Sequence, residues 1–265
     1  MIDLALGFIG TGGIASAMAR GFCSAPEFSG KINLSVHKNR EKADALKNAF
    51  PGRVSVFDSN QAASDASDVV FVCVLPQQHE AVVRALHFRP NQRVMHITGG
   101  VKLADSLPLY APAKSAARAI PLPFAARRMG PLLFYGGDET LAELMSLIGT
   151  LVRVKSEREL EILGPVTGMM VPYYALLGES VRWSMEKGLD FRTALDYASI
   201  MNETLSSFMR TDCGEDTEAF YTENSTPGGV NELGLKLLRE RGFYGDWREV
   251  LEKVYERYNS MGKGK

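Results

Sequence analysis

Leu6-Gly7-Phe8-Ile9-Gly10-Thr11-Gly12-Gly13-Ile14-Ala15 is the stretch that decides how this chain is read. The apolar run 4–9 reads as a strand, and 13–24 carries the pattern of a helix. Between them the glycines stand at the spacing GxGxxA. Gly10 permits a tight turn, Gly12 lets the backbone approach a pyrophosphate, and Ala15 keeps the helix close to the strand. A helix N-terminus favours an anion through its free N–H groups. A glycine-rich turn that only packs tightly would share the spacing. The strand-turn-helix context points instead to a dinucleotide, with Gly10, Thr11, Gly12, Gly13 and Ile14 as its contacts.

Outward from this turn, apolar runs at 32–36, 54–57, 69–74 and 94–97 alternate with helical patterns near 40–49, 77–87 and 101–107. The runs at 4–9, 69–74 and 94–97 lack alternation, as strands buried on both faces do. The repetition implies an α/β doubly wound, Rossmann-like sheet. Short runs at 117–120, 132–134 and 151–154 extend it at one edge. Beyond about residue 155 no strand run appears. Met170, Tyr173, Leu177 and Val181 form an apolar stripe at helical spacing, Trp183 faces elsewhere, and Trp247, Val250, Val254 and Tyr258 form another. We expect a dinucleotide-binding domain over 1–153 and an all-helical domain over 154–265. Helices apolar on two faces need a covering surface, so the second domain is expected to pair two subunits.

Each strand end offers candidate contacts. After the second strand come His37-Lys38-Asn39-Arg40. An acid there would read a free ribose 2′-hydroxyl. These donors suit a 2′-phosphate and favour NADP(H), while a solvated basic turn is the plainer alternative. Leu75-Pro76-Gln77 follows the fourth strand and Thr98-Gly99-Gly100 the fifth, both on the nicotinamide side. In the helical half, Thr226 suits an N-cap and Pro227 the first helical position. The adjacent Gly228 and Gly229 expose backbone N–H groups that fit a carboxylate; tight packing at a dimer contact would explain them equally well.

Bulk properties exclude several classes. The 265 residues carry a net charge of −1, with 45% hydrophobic and 23% charged residues. No polybasic feature suggests nucleic acid, and no run near the middle suggests a membrane span. Cys23, Cys73 and Cys213 read as reduced cysteines. His37, His79, His87 and His96 lack metal-ligand spacing, so no metal is expected. Without a signal-peptide pattern, the expected location is the cytoplasm.

These motifs together resemble pyrroline-5-carboxylate reductase, a family of NAD(P)H-dependent enzymes that make proline. The resemblance runs through the Gly7–Gly13 turn, Val74-Leu75-Pro76-Gln77, Ile97-Thr98-Gly99-Gly100-Val101 and Arg118-Ala119-Ile120-Pro121. It closes with Ser225-Thr226-Pro227-Gly228-Gly229 and Glu240-Arg241-Gly242-Phe243. It implies a Rossmann domain followed by a helical dimerisation domain, and reduction of the C=N bond of a small cyclic imino acid. The substrate carboxylate would rest on Gly228 and Gly229, helped by Thr226, with Asn231 near the imine nitrogen. The chain departs from the family at Leu75 (usually Lys), Leu122 (usually Asn), Thr167–Pro172 (usually Gly-Ser-Gly-Pro) and Asn231 (usually Thr). Two other readings stay open. A related carbonyl reductase would need a catalytic lysine early on the first long helix, where Lys187 lies too late. A dinucleotide-binding protein without catalysis would suit Leu75, Leu122 and Met169-Met170.

Overall fold

The structure is a computed structural model and describes residues 1–36 and 40–260. It divides into two compact units, Met1–Gly164 with the segment beginning at Tyr255, and Pro165–Val254. The expected boundary at 153 coincides with the end of the last strand. The first unit continues into the following helix and takes back the end of the chain.

The first unit holds one eight-stranded sheet. Its strands are β1 (Leu6–Ile9), β2 (Ile32–Ser35), β3 (Val54–Phe57), β4 (Val69–Val72), β5 (Arg93–His96), β6 (Ser115–Ile120), β7 (Pro131–Tyr135) and β8 (Thr150–Arg153), in the order β3-β2-β1-β4-β5-β6-β7-β8. All neighbours are parallel except β6 and β7. The order reverses at β1, which pairs with β2 on one side and β4 on the other. That switch point opens a crevice at the C-terminal ends of the strands. The helices are α1 (Gly13–Ser24), α2 (Glu41–Ala49), α3 (Asn60–Asp65), α4 (Pro76–Arg84), α5 (Leu103–Tyr110), α6 (Glu139–Ser146) and α7 (Glu157–Thr167), whose last residues enter the second unit.

The β4 ladder ends before its apolar run does. Residues 73 and 74, expected in β4, already belong to the crevice turn. Helices α3 and α6 were not anticipated. They span six and eight residues, too short for a period to stand out. Both begin on a side-chain cap, Ser59 Oγ accepting from the Ala62 amide and Asp138 Oδ1 from the Leu141 amide. The core is aromatic. Phe8 stacks on Phe71 with ring centroids 4.6 Å apart, and Phe22 meets Phe71 edge-on at 5.8 Å.

The second unit contains α8 (Met170–Glu186), α9 (Phe191–Asp212), α10 (Thr217–Glu223), α11 (Val230–Glu240) and most of α12 (Phe243–Ser260). α8 packs on α9. Few apolar side chains are buried: Met169, Val181 and Ala194. Trp183 is 61% exposed, and Tyr173, Tyr197, Ile200, Leu205 and Phe208 also lie open. Within the helical stretch Glu157–Glu186, an 18-residue window reaches a mean hydropathy of 1.3, long and apolar enough to cross a membrane by length and composition alone. The stretch is divided, however, into α7 and α8 at Gly168 and Met169.

α1 packs closely on the short 3-10 helix Pro123–Arg127 because Gly21 has no side chain. A Cβ there would lie 2.2 Å from the Ala125 carbonyl oxygen and 3.0 Å from Ile148 Cγ2. The nearest atom is backbone and cannot swing aside. Gly21→Ala is therefore expected to lose about 1–3 kcal/mol of stability by overpacking, measured as a lower denaturant midpoint with unchanged slope.

Candidate active site

The glycine turn sits at the switch point. Gly10 has a φ of +92°, where a side chain is strained. A Cβ on it would also lie 3.0 Å from the Cys73 carbonyl oxygen at the end of β4. The Gly10 amide donates to Ser35 Oγ at 3.1 Å, and the Thr11 hydroxyl donates to the Ser35 carbonyl at 2.8 Å. The turn is thus tied to the end of β2. Gly12 is the N-cap of α1, with no side-chain cap and no acid in the first turn. A Cβ on Gly12 would meet nothing within 4 Å. Bare helix amides, an open approach and no competing acid suit a pyrophosphate. Ala15 is buried against the sheet, as the motif requires.

Of the basic residues expected to read the ribose, His37, Lys38 and Asn39 lie outside the described residues. Arg40 is half-exposed at the start of α2. Its guanidinium pairs with Asp58, just beyond β3, and lies 4.0 Å from Asp44. Asp58 was missed because it comes from a different strand end; only the parallel pairing of β2 with β3 brings it alongside.

Leu75 is the N-cap of α4 and 57% exposed; Pro76 begins the helix and Gln77 points to solvent. Leu122 precedes the 3-10 helix and is half-buried. Both lie beyond the C-terminal ends of parallel strands, β4 and β6.

The turn after β5 differs from expectation in one respect: the Thr98 side chain faces inward and is 2% exposed. His79 Nδ1 lies 3.1 Å from Thr98 Oγ1, and His79 Nε2 lies 2.9 Å from Ser106 Oγ. Ser106 Oγ donates to the Lys102 carbonyl at 3.0 Å, so it accepts from His79 Nε2. His79 Nδ1 then accepts from Thr98. His96 is fully buried beside this ring, with centroids 4.9 Å apart. Next to it, Arg118 is 2% exposed and donates to Glu157 Oε1 at 2.7 Å. The same carboxylate accepts from the Leu103 and Ala104 amides and caps α5. Sequence pattern did not reveal this layer, because isolated histidines carry no spacing signal.

In the second unit, α11 begins at Val230 with Gly229 as N-cap. Thr226 and Pro227 were expected as N-cap and first helical residue; they form the preceding turn instead. Gly228 has a φ of +71°, a conformation that would break a helix of L-residues. The Gly229 amide donates to the Thr226 carbonyl at 2.9 Å, and the Gly228 amide donates to Glu232 Oε2 at 2.6 Å. Both glycine amides are therefore engaged within the turn, one of them by a carboxylate. Thr226 and Asn231 are exposed. The turn borders an open hollow of about 740 Å³, also lined by Lys236 and Arg239. Lys187 ends α8, its ammonium 5.8 Å from the Trp183 ring centroid.

Comparison with known proteins gives similar chains and similar folds. Residues 5–98 match the family model described as NADP oxidoreductase coenzyme F420-dependent. Over 262 residues the chain is 23% identical to pyrroline-5-carboxylate reductase of Pseudomonas aeruginosa, covering 95% of this chain and 94% of that one. Along nearly its whole length the chain is similar to pyrroline-5-carboxylate reductases. Two solved pyrroline-5-carboxylate reductases share the fold at a TM-score of 0.81. That of Streptococcus pyogenes is 18% identical, with 97% of this chain and 99% of that one covered. That of Plasmodium falciparum, solved with NADP bound, is 16% identical, with 99% and 100% covered. The likeness to pyrroline-5-carboxylate reductases thus spans both units.

The buried imidazoles make stability depend on pH. Burial lowers the His96 pKa to about 3, with His79 and Arg118 adding to the effect. Burial likewise lowers His79, against a smaller opposing effect of Glu80. In the unfolded chain both rings take up protons below their ordinary pKa of 6.5. Their contribution is present above pH 6.5 and is lost as pH falls toward the folded values. Glu157, also lowered in the fold, loses its contribution only below its ordinary pKa of 4.5. The denaturation midpoint is expected to fall already between pH 6.5 and about 5. His96→Gln should be less stable at neutral pH and show a flatter dependence in that window.

Proposed function

We propose that this protein reduces the C=N bond of a small cyclic imino acid, pyrroline-5-carboxylate or a close relative, with NADPH preferred to NADH. The observation that carries the reading is the uncapped, acid-free start of α1 behind the glycine turn, at the switch point of a chain resembling pyrroline-5-carboxylate reductases end to end. When bound, the dinucleotide supplies a hydride to the imine carbon. The chain's own residues bind and orient. Gly10, Thr11, Gly12, Gly13 and Ile14 hold the pyrophosphate. Leu75, Pro76, Gln77, Thr98, Gly99 and Gly100 border the nicotinamide half. His37, Lys38, Asn39 and Arg40 serve the 2′-phosphate.

The substrate carboxylate is assigned to the Gly228–Gly229 turn beside Thr226, with Asn231 next to the imine nitrogen. Glu232 holds the Gly228 amide that this carboxylate would take, so binding displaces one carboxylate by another. The open apolar faces of α8 and α9 are assigned to a second copy in a homodimer, and the location to the cytoplasm. A carbonyl reductase with Lys187 as its acid finds less support, because Lys187 lies at the far end of α8.

Five measurements test this. Purified protein should oxidise NADPH with pyrroline-5-carboxylate; no turnover with any cyclic imine in a panel would remove the activity. Gly12→Val should keep its thermal midpoint, because the space above Gly12 is open, yet lose dinucleotide binding by at least about tenfold. Asp58→Asn frees Arg40 and is expected to tighten NADPH while leaving NADH unchanged. Glu232→Gln turns the competing charge-assisted hydrogen bond into a neutral one and should lower KM for the imino acid about fivefold, at about 1 kcal/mol for that difference. Gly229→Val is a poor test, because its Cβ would meet the Thr226 carbonyl at 2.8 Å and disturb the turn itself. A monomer in sedimentation at micromolar concentration would contradict the dimer.

A further inference from the structure

His96 stands below the turn Thr98-Gly99-Gly100-Val101 and holds it at both ends. Its Nε2 lies 3.2 Å from the Thr98 carbonyl oxygen and 3.0 Å from the Val101 carbonyl oxygen. Carbonyl oxygens only accept, so Nε2 carries the proton. Its Nδ1 lies 2.6 Å from the Tyr110 hydroxyl. In a neutral ring protonated at Nε2, Nδ1 is an acceptor, so Tyr110 donates. Tyr110 and His96 are both buried. The hydroxyl thereby selects one tautomer of the imidazole.

This orientation has a consequence on the other face of the turn. A trans peptide is planar, and its C=O and N–H point to opposite sides. The Thr98 carbonyl is drawn inward to His96. The N–H of the same peptide, that of Gly99, must then point away from the core. Gly99 is half-buried, and among the described residues no acceptor is paired with its amide. A Cβ on Gly99 would meet nothing within 4 Å, so no neighbouring side chain crowds this residue. The turn leaves β5 next to the turn that leaves β4, at the edge of the sheet where the Gly10–Gly13 turn also lies. A bare donor, held by a buried acceptor-donor pair and opening on the crevice, is arranged for a ligand oxygen.

We propose that His96 is a positioning residue, its tautomer set by Tyr110, that aims the Gly99 amide at an acceptor oxygen in the nicotinamide half of a bound dinucleotide. The proposal rests on the reading of this crevice as the dinucleotide site. His96 touches no ligand; it acts through the Thr98–Gly99 peptide. Phenylalanine at Tyr110 keeps the ring but releases the tautomer, so Tyr110→Phe weakens the same contact to a lesser degree.

Two ligands separate this role from a merely structural one: NADPH, and the adenosine bisphosphate fragment of NADPH that lacks the nicotinamide half. In His96→Leu, NADPH affinity is expected to fall about tenfold, the loss of one well-aimed hydrogen bond to a polar ligand, while the fragment binds as to the wild type. Equal loss of both ligands, or no loss of either in a folded variant, overturns the proposal. A wild type that binds the fragment but not NADPH overturns it as well; one that binds neither removes the dinucleotide reading from which it starts. Amide NMR on the wild type needs no substitution. The Gly99 amide proton should move on adding NADPH and stay in place with the fragment alone. A Gly99 resonance indifferent to NADPH would overturn the assignment even if His96→Leu failed to fold.

Discussion

β1 is hydrogen-bonded on both edges and covered on both faces, so its ends are its only routes to solvent. Leu6, Phe8 and Ile9 are completely buried, and the strand has a parallel partner on each side. At Gly7, a Cβ would lie 2.5 Å from Ser67 Oγ. The chain leaving Ile9 must turn at once, in a space set by the ends of β2 and β4. Gly10 makes that turn, the Ser35 contacts tie it down, and α1 is launched with its amides facing the crevice. The candidate ligand site in the first unit follows from this exit.

Much of that unit could be read from local sequence. A parallel sheet buried on both faces leaves a plain record: short runs rich in Val, Ile, Leu and Phe between helices. The glycine motif carries its own context, and its first helix runs over the expected residues. The missed elements were those with little periodicity of their own, such as α3 with its six residues. Interactions created by topology were also missed. Asp58 reaches Arg40 only because β3 lies beside β2, and His79 meets His96 only because α4 folds back over β5. Neither pairing has a spacing in sequence.

The second unit was legible as helical and much less legible in its details. Thr226 and Pro227 are good residues for beginning a helix, yet the helix waits until Val230. Gly228 takes a positive φ, and that one backbone choice inserts a turn between Pro227 and the first helical residue. Propensity rules weigh a glycine as a weak helix former and do not say on which side of it the helix starts. The apolar stripes were visible in advance; that so many of their residues stand open on a single chain was visible only from the packing.

The contact between Glu232 and the Gly228 amide has a further meaning for selectivity. A carboxylate carried on the same helix turn is present at an effective concentration that no dilute solute matches. Simple anions of the medium compete poorly against it, and an external carboxylate succeeds only if other parts of the molecule contribute to its hold. On the proposed reading of this turn as a carboxylate site, it discriminates by threshold: the charge that many metabolites share is ignored, and counts only when the correct body comes attached to it.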